Sequence, residues 1–224
     1  MGAARYITLG ASLPALGPVL AAKVVPINRA RLDARLRGAL RPADLRQLDA
    51  VRGLLSWPSL QHHADDAAAL AAARRAMDAV ASPDIRDFLR DRMELRTLVA
   101  ALRRRAAGEG PPPPDMAWGF GRYLRRMRAN WSDPAFGVGR AFPFAARAAQ
   151  ALGTGNSAGM ERIVLEAAWA QADRRAAAHS FDLETIVFYV ARWELLDRWT
   201  RYDAQAAEAR FADLLDKTAT EASR

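Results

Sequence analysis

Residue types able to do chemistry are few in this chain. It has three histidines, His62, His63 and His179, and no cysteine. His62 and His63 are adjacent, so on a helix they diverge by about 100° and do not converge on one metal ion, while His179 is distant in sequence. Asp65 and Asp66 could extend a carboxylate site, but acids at that point also suit the positive end of a helix beginning there. No serine or threonine stands in a nucleophile-elbow pattern, and no dinucleotide fingerprint follows a strand. Gly153-Thr154-Gly155 lacks the preceding strand and the lysine of a phosphate-cradling loop and reads as a turn. Glu166, Asp173, Glu184, Glu194 and Asp197 are helix acids, mostly with an arginine three or four residues away. No catalytic, cofactor-binding or metal-binding residue is assigned, and the chain is read as noncatalytic.

What remains is electrostatic. The formal net charge is +8, and it is uneven: Met1 to His179 holds 27 Lys or Arg against 16 Asp or Glu, whereas Ser180 to Arg224 holds 6 against 9. A basic body suits nucleic acid, anionic lipid or an acidic protein, and charge alone does not choose among them. Two clusters stand out as candidate partner-binding residues. Arg103, Arg104 and Arg105 close one helix, where they also complement its dipole. Arg122, Arg125 and Arg126, with Arg128 nearby, fall at spacings of three and four and share a face if the segment is helical. Reversing Arg122, Arg125 and Arg126 to glutamate is expected to weaken assembly and leave the fold intact.

The elements that carry these residues read as helices. Alanine dominates the apolar fraction and β-branched runs are scarce after Val24-Val25, which favours an all-α, multi-helix bundle with helical hairpins. Arg5 to Pro14 reads as one short extended N-terminal segment ended by a proline turn. Helices are expected from Asn28 and from Pro42, closed by the loop Ser56 to Ser59, then over Asp65 to Ala81. The clearest start is Ser82-Pro83-Asp84, with serine as cap, proline in the first turn and aspartate at the positive end. That helix stops near Gly108. Further helices are expected over Asp115 to Asn130, Phe144 to Leu152 and Ser157 to Ala178, with a long terminal one from Phe181. Gly108 to Asp115 is proline-rich and reads as a stiff spacer. It separates an N-terminal lobe, 1–107, from a C-terminal lobe, 116–224, unless the two share one core. Ile7 to Leu20 is broken by Pro14, Gly17 and Pro18 and reads against a signal peptide, and no window approaches the roughly 20 apolar residues of a membrane span. The absence of cysteine fits a reducing, cytoplasmic setting.

The opening Tyr6-Ile-Thr-Leu-Gly-Ala-Ser-Leu-Pro14 and the terminal Phe181-Asp-Leu-Glu-Thr-Ile-Val-Phe-Tyr-Val-Ala-Arg-Trp-Glu-Leu-Leu-Asp-Arg-Trp199 together resemble a small family encoded beside the genes of bacterial V-type (V/A-type) ATPases. Asp91-Arg-Met-Glu-Leu-Arg-Thr-Leu-Val-Ala-Ala-Leu-Arg-Arg-Arg105 is similar to a helix of the socket component of these machines, termed C in bacteria and d in eukaryotes. That component is larger and built from three related helical units, and no threefold repeat is evident here. The resemblance implies a noncatalytic socket between the central stalk and the membrane proteolipid ring, or an assembly factor for it, with no cofactor. The protein would then sit peripherally on the cytoplasmic face of the inner membrane, its arginine clusters facing acidic stalk surfaces or anionic headgroups. The alternative is a basic helical module that binds nucleic acid or other proteins. For nucleic acid, a helix-turn-helix register and an aromatic platform among the arginines are both missing from the sequence.

Overall fold

The computed structural model describes residues 2–55 and 66–222, with side chains for 4–55 and 67–202. The described chain is all-α and contains no strand. Its helices are α1 (Gly2–Ser12), α2 (Arg29–Ala39), α3 (Pro42–Leu55), α4 (Asp66–Asp78), α5 (Pro83–Ala106), α6 (Leu124–Ala129), α7 (Ala145–Gly153), α8 (Ser157–Ala176) and α9 (Leu183–Ala222), with a 3-10 turn at Val19–Ala21. None of the helices is long and apolar enough to cross a membrane among the described residues.

Local chemistry fixes several of these boundaries. Asn28 caps α2 by accepting from the Arg31 amide at 2.9 Å, and Asn156 caps α8 by accepting from the Gly159 amide at 2.8 Å. Ser82 caps α5 through the Ile85 amide at 3.4 Å, with Pro83 following it. Beyond the end of α5, Gly108 takes φ +80°, a left-handed turn that glycine adopts without a Cβ penalty.

Two expectations need correction. The opening is helical and not extended. Tyr6 and Leu9, three residues apart, are both buried, while Ile7 stays 43% exposed. A strand would have put Tyr6 and Thr8 on one face, and it is the helical pair that finds cover against α2 and α9. The helix expected over Asp115 to Asn130 is only α6, Leu124–Ala129. Residues 115–123 are irregular because α5 offers their backbone other partners: Thr97 Oγ1 accepts from the Phe120 amide at 2.8 Å and Glu94 Oε1 from the Arg122 amide at 2.8 Å. The loop Ser56 to Ser59, His62, His63 and Asp65 lie outside the described residues.

The core has two apolar clusters, and both cross the proline-rich segment. One gathers α1 to α4 around Ile85, Phe88, Leu89 and Met93 of α5 and Ile186 to Trp193 of α9. The other gathers α7, α8 and the 115–144 region around Leu95 to Leu102 of α5 and Leu195 to Trp199 of α9. The proline segment itself is tied down: Trp131 Nε1 donates to the Glu109 carbonyl at 3.1 Å, and Arg128 Nη2 to the Pro113 carbonyl at 3.0 Å.

A buried carboxylate joins α1 to α3. Asp44 is 3% exposed and accepts from the Tyr6 hydroxyl at 2.9 Å and Arg41 Nε at 3.0 Å. Burial by itself would push this carboxyl up, but the hydrogen bonds from Arg41 and Tyr6 outweigh it and hold Asp44 below the usual range. A depressed native value means that the contribution is fully present above the ordinary carboxylate range and is lost as pH falls through the native value. Denaturant unfolding followed from neutral pH down to about 3 should show a loss of stability that Asp44→Asn largely removes, from a lower starting stability.

Candidate partner-binding groove

The six arginines singled out by the sequence divide into two groups. Arg103 Nη2 pairs with Glu161 at 2.5 Å, and Arg104 Nη2 with Glu109 at 2.9 Å. Arg105 donates to the backbone carbonyls of Trp131 at 3.1 Å and Pro134 at 2.9 Å, and its guanidinium lies 4.0 Å from the centre of the Phe136 ring. Desolvation lowers its pKa, with Asp133 partly offsetting the effect. Arg105 therefore fastens the loop after α6 to the end of α5.

Arg122 is also committed. Its Nε and Nη2 reach Glu94 at 2.9 Å each, and Nη2 reaches Asp91 at 3.2 Å. The Glu94 side chain is only 2% exposed, so it depends on this clamp for charge compensation. Gly121 makes the approach possible, since its φ is +104° and a Cβ there would come within 2.2 Å of Glu94 Cγ. Arg122 precedes α6, so it does not share a helix face with Arg125 and Arg126. Its reversal would set a second carboxylate beside a buried one, which corrects the expectation that the triple reversal spares the fold.

Arg125 and Arg126 differ from the other four. Both are exposed on α6, and no ion pair or hydrogen bond engages either side chain among the described residues. Arg125 edges a groove of about 350 Å³ between α4 and the 114–128 segment. Arg74 and Arg128 also stand along it, and Leu70, Trp118 and Leu124 supply an apolar lining. Two buried donors of these lining residues have no acceptor, Trp118 Nε1 and Arg128 Nε. A groove with guanidinium edges and an apolar lining is chemically suited to a segment that brings a carboxylate together with apolar side chains. Sequence spacing placed Arg125 and Arg126 but missed Arg74 and Trp118, whose approach depends on tertiary packing.

A second cluster lies where α9 begins. One ligand atom each from His179, Asp182 and Glu184 fall within 4.8 Å of one another. Two of these residues already have structural partners: His179 Nδ1 is 2.9 Å from Asp182, His179 Nε2 is 3.4 Å from Asp84, and Asp182 Oδ1 accepts from the Thr185 amide at 2.8 Å. Burial disfavours the Asp182 charge, yet the Thr185 and His179 hydrogen bonds hold its pKa below the usual range. The arrangement reads as a helix cap with a histidine strut. No family model, curated protein or solved structure matches the chain.

Gly121→Ala should destabilise the protein by about 2 kcal/mol or more, through the left-handed backbone and the displaced Glu94. Arg122→Glu should cost about 1–3 kcal/mol by leaving Glu94 uncompensated. Chemical denaturation of both variants against wild type measures these effects.

Proposed function

We propose that the protein is a noncatalytic helical component of a V-type ATPase, acting as a coupling socket between stalk and proteolipid ring or as an assembly factor. In this reading it docks an acidic segment of the rotary complex through the α6 face and the groove beside it. The observation that carries the proposal is the contrast among the arginines. Four of the six have partners within the chain, while Arg125 and Arg126 stand exposed on α6, and Arg125 edges a groove lined by Leu70, Trp118 and Leu124.

The assignment to a V-type ATPase rests on the resemblance of the opening and terminal segments. These two stretches pack together, α1 against α9, with the Tyr189 hydroxyl donating to the Pro14 carbonyl at 2.9 Å. The resemblance therefore falls on a structural unit of the core, and the docking face lies elsewhere. That division suits a part that transmits force: the body stays rigid through close packing while a separate surface supplies specificity.

The test is affinity recovery of the tagged protein from gently solubilised membranes of its own cell, followed by mass spectrometry. Wild type should bring stalk and proteolipid proteins in stoichiometric amounts. Arg125→Glu/Arg126→Glu should lose them by about tenfold or more, with circular dichroism and melting temperature unchanged. A matched reversal at exposed Arg86 should retain them. Recovery of nucleic acid in place of ATPase proteins, with affinity falling steeply in salt, would overturn the proposal.

A further inference from the structure

The start of α9 gathers acids without arginines to match them. The chain carries a net charge of +8, yet neither Asp182 nor Glu184 has an ion pair with an arginine among the described residues. His179 stands with them, and one ligand atom from each of the three falls within 4.8 Å of the others. The helix cap accounts for only part of this arrangement. Asp182 Oδ1 is spent on Thr185, accepting from its amide at 2.8 Å and its hydroxyl at 2.7 Å, whereas Oδ2 lies 2.9 Å from His179 Nδ1. Glu184 has no part in the cap, and no hydrogen bond or ion pair engages its side chain among the described residues.

Two of the three groups are also held from behind. The His179 ring is 13% exposed and its centre lies 5.4 Å from that of Phe188, while Nε2 is 3.4 Å from Asp84 in the first turn of α5. An imidazole whose far nitrogen meets a carboxylate, beside a carboxylate whose far oxygen is hydrogen-bonded, has the outer support that metal ligands ordinarily have. We propose that His179 Nδ1, Asp182 Oδ2 and the Glu184 carboxylate bind one zinc ion, with Glu184 closing onto it and water completing the coordination. The mixed nitrogen and oxygen set selects zinc over magnesium and calcium, which take oxygen ligands. The N-terminus of α9 opposes a cation with about half a charge, and the two full carboxylate charges outweigh it. Because Asp84 braces the ligand ring, zinc here ties the start of α9 to the start of α5 independently of their apolar contacts.

The experiment is isothermal calorimetry on the untagged, metal-stripped full chain with zinc chloride and, separately, with magnesium chloride and calcium chloride. Wild type should bind one equivalent of zinc at least about tenfold more tightly than either other ion. Glu184→Gln should weaken zinc binding about tenfold or more and melt like wild type in EDTA, since Glu184 has no partner within the chain to lose. His179→Gln should weaken binding further, and Glu184→Gln decides the matter if that variant does not fold. Zinc binding that is absent, or no tighter than that of magnesium or calcium, overturns the proposal. So does zinc binding that is unchanged in Glu184→Gln, which would place the ion elsewhere in the chain.

Discussion

The pairing of α5 with α9 is the constraint on which the rest of the structure depends. On each helix an earlier stretch joins one apolar cluster and a later stretch the other, changing over between Met93 and Leu95 on α5 and between Trp193 and Leu195 on α9. Around that change, α5 buries Arg92, Glu94 and Thr97, three of the four buried polar or charged residues of the described chain. Polar groups here have different fates. Thr97 and Glu94 hold the irregular segment after the proline run, and Trp193 Nε1 on the other helix donates to the Ile27 carbonyl at 2.9 Å. The seam is thus where distant parts of the chain are registered against the two central helices, and a hydrogen-bonded polar seam specifies that register more strictly than apolar contact would.

Electrostatics then has two separate tasks. Much of the excess positive charge is internal fastening. Arg29 bridges Glu194 and Asp197 at 2.7 and 3.1 Å, Arg52 reaches Asp33 at 2.8 Å, and Arg175 reaches Asp91 at 2.9 Å. Planar guanidinium groups make such two-ended contacts more readily than lysine, which gives the near absence of lysine a structural meaning. The net charge therefore overstates how much of the surface is available to a partner, and of the six arginines singled out by the sequence only Arg125 and Arg126 stand exposed without an ion pair or side-chain hydrogen bond among the described residues.

The helical class and most helix starts were legible because their signals are local. Ser82-Pro83-Asp84, Asn28 and Pro42 announce themselves within a turn. What could not be read depends on partners far away in sequence. Tyr6 finds Asp44, and the Phe120 amide finds Thr97. In each case a long-range contact overrode the pattern of the segment itself, which read as a strand at the opening and as a helix after the prolines. The arginine clusters show the same limit. Spacing identified them, but it could not tell that Arg103 faces Glu161 or that Arg122 clamps Glu94, whereas Arg125 and Arg126 have no such acid among the described residues.

The packing of α1, and of Ile27 just before α2, against α9 also bears on synthesis. Pro14 waits for Tyr189 and Ile27 for Trp193, separations of 175 and 166 residues. At ordinary translation rates of about 5–20 residues per second, that interval is roughly 8–35 seconds. During it α1 and α2 have each other, while the contacts that Tyr189 and Trp193 supply have yet to be made. The nascent chain therefore passes through a stage in which its first helices rest on one another, and folding is completed only after α9 has emerged from the ribosome.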